Sequence, residues 1–135
     1  LMTIAKGRSK ITETIFENRM NHVDLLNQMG SSITLKDNIA HINGVKNLRG
    51  MTLVGLDLRS SAALIIAALT SKSVSYVYGL EHLDRGYENF EQKLSKLGIE
   101  IKRQITKRTI NESNYDKSNQ NNKEIAGIRA AWFWF

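Results

Sequence analysis

Apolar and polar residues alternate and cluster along this chain in patterns that predict short strands and helices following one another. Residues 9–14 have the β-branched content of a strand. After a polar loop, Val23, Leu26 and Met29 recur at helical spacing, and Gly30 offers a left-handed residue to end that helix. Residues 32–36 and 39–43 alternate on either side of Asp37-Asn38 and predict a hairpin. Residues 44–50 read as a loop and 51–55 as a strand. Residues 62–69 read as a helix apolar on every face and therefore buried, capped by Ser60 or Ser61. A strand is expected at 73–78, a helix at 87–97 ended by Gly98, and a last strand at 99–102.

The order of these elements repeats. Residues 9–33 parallel residues 73–101: each stretch has a strand, a polar loop containing an arginine (Arg19, Arg85), an amphipathic helix, an apolar residue followed by Gly, and another strand. Such crossovers predict a layered α/β arrangement with helices covering a sheet. The first stretch lacks the strand and helix that precede the second, so the chain is expected to begin partway through a unit. A sheet without its companion units is expected to self-associate through apolar edges.

Composition adds bounds. With 135 residues, 41% hydrophobic and 24% charged, the chain fits one globular domain or part of a larger protein. It has no cysteine, which excludes thiolate metal sites and a cysteine nucleophile within it. The longest apolar run is far shorter than the ~20 residues that cross a bilayer, and the first residues lack a secretory pattern. A cytoplasmic or organelle-stroma location is expected, with no transmembrane segment. The net charge of +6 divides unevenly: residues 1–102 hold 13 Lys and Arg against 10 Asp and Glu, and residues 103–135 hold six against three. The basic excess is not interleaved with stacking aromatics, so no nucleic-acid surface is expected. Residues 104–135 read as an Asn- and Lys-rich disordered extension with an aromatic end, Trp132 to Phe135, and residues 1–103 as the folded part.

Three loops at strand-to-helix transitions carry charge: residues 13–19, Asp57-Leu58-Arg59, and His82-Leu83-Asp84-Arg85-Gly86-Tyr87. In an α/β layer such loops gather at one end of the sheet, near helix N-termini that attract anions. Arg19, Arg59 and Arg85 there would suit phosphate and carboxylate groups, because the guanidinium fork pairs bidentately with both. The alternative is that Arg59 pairs with Asp57, and Arg85 with Asp84 or Glu88, as ion pairs that merely order the loops. His22, His41 and His82 have no metal-ligand spacing, Ser60-Ser61 lacks a nucleophile elbow, and no phosphate-cradling glycine loop is present. No metal and no cofactor are expected.

The wording of the loops, Ile11-Thr12-Glu13-Thr14-Ile15-Phe16-Glu17-Asn18-Arg19, Asp57-Leu58-Arg59-Ser60-Ser61-Ala62 and His82-Leu83-Asp84-Arg85-Gly86-Tyr87-Glu88, closely resembles the C-terminal third of the UDP-N-acetylglucosamine enolpyruvyl transferases. These belong to the EPSP synthase-like enolpyruvyl transferases. The resemblance implies an inside-out α/β barrel of repeated βαβαββ units, here an incomplete portion, with an active site between two such domains. It implies transfer of enolpyruvyl from phosphoenolpyruvate to the 3-hydroxyl of UDP-N-acetylglucosamine, the first committed step of peptidoglycan synthesis. By the same resemblance Thr14, Ile15 and Phe16 contact the nucleotide sugar, Arg85 binds phosphoenolpyruvate, Arg19 and Arg59 lie near the reacting groups, and Asp57 positions a group or handles a proton.

The chain also departs from that pattern. The family's cysteine loop, its upstream proton-accepting aspartate and its N-terminal phosphoenolpyruvate-binding lysine and arginine have no counterpart here. Met20-Asn21 replaces a more usual bulky and basic pair, and residues past Arg103 have no counterpart apparent from the sequence. The expectation is a portion inactive alone, working with a separately encoded N-terminal portion. The alternatives are a noncatalytic remnant or nucleotide-sugar-binding domain and, fitting the loops less well, a 3-phosphoshikimate 1-carboxyvinyltransferase.

Overall fold

The computed structural model describes residues 1–16, 19–106 and 125–131, with side chains through residue 104. Its elements, in chain order, are β1 (Arg8–Thr12), α1 (Val23–Gln28), β2 (Ser32–Lys36), β3 (Ile39–Asn43), β4 (Thr52–Val54), α2 (Leu58–Leu69), β5 (Ser75–Tyr78), α3 (Leu80–Asp84), α4 (Phe90–Ser95), β6 (Glu100–Thr106) and β7 (Ile125–Ala131).

Two sheets result. One has the order β1-β3-β2, with β3 antiparallel to both neighbours. The other has the order β4-β5-β7-β6, with β4 parallel to β5 and β7 antiparallel to β5 and β6. In each sheet two parallel strands joined through helix are separated by the last strand of the unit. The series β5, α4, β6 therefore repeats β1, α1, β2, as the sequence parallel predicts, and β7 then follows as β3 does. With β4 and α2 in front, the second series is one βαβαββ unit of an α/β fold.

Local chemistry fixes the first repeat. Gly30 takes φ +94°, and the Asn27 side chain bridges the turn: its Nδ2 donates to Ile33 O (2.8 Å), while its Oδ1 accepts from Ile33 N (3.0 Å) and Ser31 Oγ (2.9 Å). The Arg49 amide then donates to Met29 O at 2.7 Å, tying the loop before β4 to the end of α1. Met29, Leu48, Leu53, Leu64, Ile65, Val77, Leu80 and Leu83 are almost fully buried in one cluster around α2. Each such aliphatic side chain stabilises the fold by about 1.5–3 kcal/mol.

Four sequence expectations need correction. Helix α2 begins at Leu58 and is capped by Asp57, not by Ser60 or Ser61. It is not buried on every face, since Ile66 is 48% exposed. Residues 80–84, including His82, Leu83 and Asp84, form a helix rather than a loop, and the following helix starts only at Phe90, after Asn89 at φ +49°. Finally, the last strand runs on to Thr106, and β7 lies within the stretch read as a disordered extension. The physical reason is pairing: β7 joins β5 and β6, and so supplies the strand that β3 supplies in the first sheet. Trp132 to Phe135 lie outside the described residues.

Candidate active site

The first loop folds around Glu13. Its Oε1 accepts from the amides of Ile15 (2.8 Å) and Phe16 (3.3 Å), and its Oε2 lies 3.2 Å from Arg19 Nη1. The Ile15 amide bond, with that of Phe16 and the Arg19 charge, holds the Glu13 carboxyl below its usual range. The Arg19 guanidinium stacks 4.2 Å from the centre of the Phe16 ring. Arg19 is thus committed to ordering its own loop, while Ile15 and Phe16 stand exposed at its tip.

The second loop is organised by Asp57. Its Oδ1 accepts from the amides of Arg59 (2.8 Å) and Ser60 (2.9 Å), and Ser60 Oγ accepts in return from the Asp57 amide (3.0 Å), closing a capping box. Its Oδ2 accepts from Asn21 Nδ2 at 2.8 Å. The Asn21 bond and the Ser60 amide bring the Asp57 carboxyl down to about 2, so it is ionised at neutral pH. A carboxylate so placed is poorly matched to proton transfer near neutrality and well matched to holding geometry. Beside it, His22 is kept below its usual value by burial, against the opposing pull of the Asp57 charge, and stays neutral.

The third loop becomes α3 and its exit. Arg85 is the C-cap of α3, and Tyr87 N donates to Leu83 O at 2.9 Å. Asp84 is clamped by Arg103 from β6, with Nη1 at 2.9 Å and Nη2 at 2.7 Å; Arg103 also grips Glu91 of α4 at 3.0 and 3.1 Å. The Arg103 bonds hold the Asp84 carboxyl below its usual range, and those with Asp84 and Glu91 in turn raise Arg103. Among the described residues neither Arg59 nor Arg85 makes an ion pair, so the loop-ordering alternative fails for both, while Arg19 pairs with Glu13.

The structure gathers the three loops at the start of α2. Asn21 joins the first to Asp57. Gly55 N donates to Tyr78 O at 2.9 Å, aligning the ends of β4 and β5. A methyl group on Gly86 would lie 2.7 Å from Leu58 Cδ2, so the third loop rests directly on the first turn of α2. Sequence reasoning passed over Asn21 and Arg103. Arg103 carries no motif, and Asn21, a departure from the family wording, makes the bond that links two loops. Among the described residues no His, Cys, Asp and Glu cluster has metal-binding geometry, and no helix is long and apolar enough to cross a membrane.

Asp57→Ala is expected to cost about 2 kcal/mol at neutral pH, through loss of the cap and of the Asn21 bond. Asp57→Asn, which keeps an acceptor at the cap but loses the charge and turns an amide donor towards Asn21, should cost about 1 kcal/mol at neutral pH. The folded value of about 2 lies below the ordinary 3.8, so the charge contributes fully above roughly pH 4 and is lost as the pH falls towards 2. Solvent screening of this half-buried group holds that contribution to about 1 kcal/mol. Urea titrations from pH 7 to 2 should therefore show a shallower acid limb for Asp57→Asn; identical limbs would remove the electrostatic account.

The family model described as EPSP synthase (3-phosphoshikimate 1-carboxyvinyltransferase) matches residues 1–94. The UDP-N-acetylglucosamine 1-carboxyvinyltransferase of Prochlorococcus marinus subsp. pastoris (strain CCMP1986 / NIES-2087 / MED4) is 88% identical over 131 residues, which are 97% of this chain and 29% of that protein. The protein of the same name from strain MIT 9312 is 61% identical over 131 residues, 97% of this chain and 28% of that protein. The crystal structure of the enolpyruvyl transferase NikO from Streptomyces tendae superposes with a TM-score of 0.64 at 30% identity, over 70% of this chain and 22% of that chain. The chain thus spans less than a third of the curated relatives it matches. The 131 matched residues include most of 104–135, so that segment does have a counterpart in these relatives. Loop wording, βαβαββ unit and relatives converge: this chain belongs to the EPSP synthase family of enolpyruvyl transferases.

Proposed function

We propose that this chain is a portion of a UDP-N-acetylglucosamine 1-carboxyvinyltransferase, which moves enolpyruvyl from phosphoenolpyruvate to the 3-hydroxyl of UDP-N-acetylglucosamine in peptidoglycan synthesis. The observation that carries this is the junction of three loops at the start of α2, which leaves Arg59 and Arg85 unpaired among the described residues. Two free guanidinium groups suit a substrate bearing phosphate and carboxylate, held while charge develops at the reacting carbon. Arg85 binds phosphoenolpyruvate, and Arg59 stabilises the reacting groups. Thr14, Ile15 and Phe16, on the loop that Glu13 and Arg19 brace, form a face for the nucleotide sugar. Asp57 is a positioning residue: it fixes the helix start that presents Arg59 and, through Asn21, the loop that presents Ile15. The relatives, named for the UDP-N-acetylglucosamine reaction at up to 88% identity, favour that acceptor over 3-phosphoshikimate.

The family's cysteine and its proton-accepting aspartate are supplied, on this reading, by the part of the enzyme that the chain does not span. The purified chain is expected to release no phosphate from phosphoenolpyruvate and UDP-N-acetylglucosamine. Phosphate release should appear when the uncovered part of the MED4 relative is added as a separate folded polypeptide, and 3-phosphoshikimate should not replace the sugar nucleotide. Turnover by the chain alone would overturn the division of labour. A mixture of folded partners that bind each other and yet release no phosphate would overturn the transferase reading; chemical shifts at Ile15 and Arg85 on titration with UDP-N-acetylglucosamine would then identify a binding module.

A further inference from the structure

The loop that carries Arg85 is held at both ends by one side chain. Asp84 is the last residue of α3, Arg85 is its C-cap, and α4 does not begin until Phe90. Arg103 of β6 reaches across this gap. Its Nη1 and Nη2 donate to the two oxygens of Asp84 (2.9 and 2.7 Å), while its Nε and the same Nη2 donate to the two oxygens of Glu91 (3.0 and 3.1 Å). These four bonds form two forks along two edges of the guanidinium plane, which a lysine ammonium has no planar edge to copy. Ile101, two residues earlier on the same face of β6, is buried in the core, so Arg103 leaves the sheet at the rim of that core.

The internal repeat marks this clamp as particular to the second unit. Counted from Gly30 and Gly98, Leu35 stands where Arg103 does and Val23 where Glu91 does. The registers agree: Ile33 faces Ile42 and Leu35 faces Ala40, as Ile101 faces Ala130 and Arg103 faces Ile128. Two apolar positions of one repeat are thus charged in the other. The strand-helix-strand unit closes without a guanidinium there, and what the second unit has in addition is a loop bearing Arg85 between two anchored carboxylates. Gly86 rests on Leu58 in the middle of that loop, so its backbone has a fixed path from α3 to α4. The clamp also keeps the carboxylates of Asp84 and Glu91 on Arg103, where their charge is partly neutralised before it can repel an anion near Arg85.

We propose that Arg103 is a positioning residue for the anion subsite: its double fork on Asp84 and Glu91 sets the path of residues 84–91, and with it the place from which Arg85 meets phosphoenolpyruvate. The clamp stands on its own geometry; the substrate rests on the preceding reading. In the full 135-residue chain, Arg103→Ala should speed hydrogen exchange at the Gly86 and Tyr87 amides, both bonded to Leu83 O, by about ten-fold or more, and leave the amides of Leu64 and Ile65 in α2 within about two-fold. Equal acceleration at all four would make Arg103 a general stabiliser and overturn the proposal. The role in the site is read in a full-length enzyme in which this chain replaces the 131 matched residues of the MED4 relative. There Arg103→Ala should raise the KM for phosphoenolpyruvate by about ten-fold, with kcat and the KM for UDP-N-acetylglucosamine within about two-fold, and Arg103→Lys should recover only part of the loss. In an Arg85→Ala background the same substitution should change kcat/KM for phosphoenolpyruvate by less than about two-fold, because the group it positions is gone. A full ten-fold effect in that background, or an unchanged KM in the single variant of an active enzyme, would overturn the positioning role and leave the transferase reading intact. A folded parent enzyme that releases no phosphate would sink the transferase reading, and the substrate named here with it, whatever the amides show.

Discussion

Gly79→Ala should destabilise the chain by about 3–4 kcal/mol, whereas Gly98→Ala should cost only about 1 kcal/mol. Both glycines have φ +84°, so both substitutions carry the same left-handed backbone strain. They differ in space. A methyl group at Gly98 meets nothing within 4 Å, while one at Gly79 would sit 2.3 Å from the carbonyl oxygen of Gly55. That oxygen cannot retreat cheaply, because Gly55 is itself packed against the first turn of α2: a methyl there would lie 2.0 Å from Ser61 Oγ. Backbone therefore touches backbone where β4, β5 and α2 meet, beneath Asp57 and Arg59. Separating these elements costs packing as well as strain, a large share of the roughly 5–15 kcal/mol by which domains are stable. Thermal or urea unfolding of the two variants beside the parent measures the difference, and equal losses would show that conformation alone is at stake.

The same region shows what the sequence makes legible. The hairpin around Asp37-Asn38 is read to the residue, because period-2 alternation and turn chemistry are both local. The three charged loops are also found from local wording. Asp57 as a cap was within reach: an Asp followed three residues later by Ser60 is a capping-box pattern, but adjacent Ser60 and Ser61 offered a more familiar cap. Helix α3 is too short, at five residues, for a 3.6-residue period to be seen. Strand β7 has no alternation to reveal it, with Gly127 and three alanines among its seven residues. Its signal is long-range, pairing with β6 across the 18 residues between Thr106 and Ile125.

Within the candidate site the arginines were visible as residue types, but their separate fates were not. Arg19, Arg59 and Arg85 look equivalent in sequence. Three-dimensional neighbours separate them, for Arg19 meets Glu13 and Phe16 whereas Asp84, the neighbour expected for Arg85, is taken by Arg103. A distant strand thus decides which neighbours a loop arginine keeps. Asn21 makes the same point for Asp57, since a residue 36 positions away fixes its carboxylate.

Arg85→Ala in the complemented enzyme is expected to lower kcat/KM for phosphoenolpyruvate by about 100- to 1,000-fold, equivalent to roughly 3–4 kcal/mol of lost transition-state stabilisation. Arg85 is exposed, contributes to α3 only as its backbone C-cap and makes no ion pair among the described residues, so folding should be affected by less than about 0.5 kcal/mol. Its backbone stays in place in the variant, because Arg103 still clamps Asp84 to β6 and α4. Arg85→Lys restores charge but not the planar fork, and should recover only part of the loss. The KM for UDP-N-acetylglucosamine should change little, which separates a substrate-binding guanidinium from general damage to the site. Initial rates at varied phosphoenolpyruvate, with unfolding curves for each variant, provide the measurement. Unchanged phosphoenolpyruvate saturation in Arg85→Ala would show that this arginine, without an ion pair among the described residues, is not the one that holds the anion.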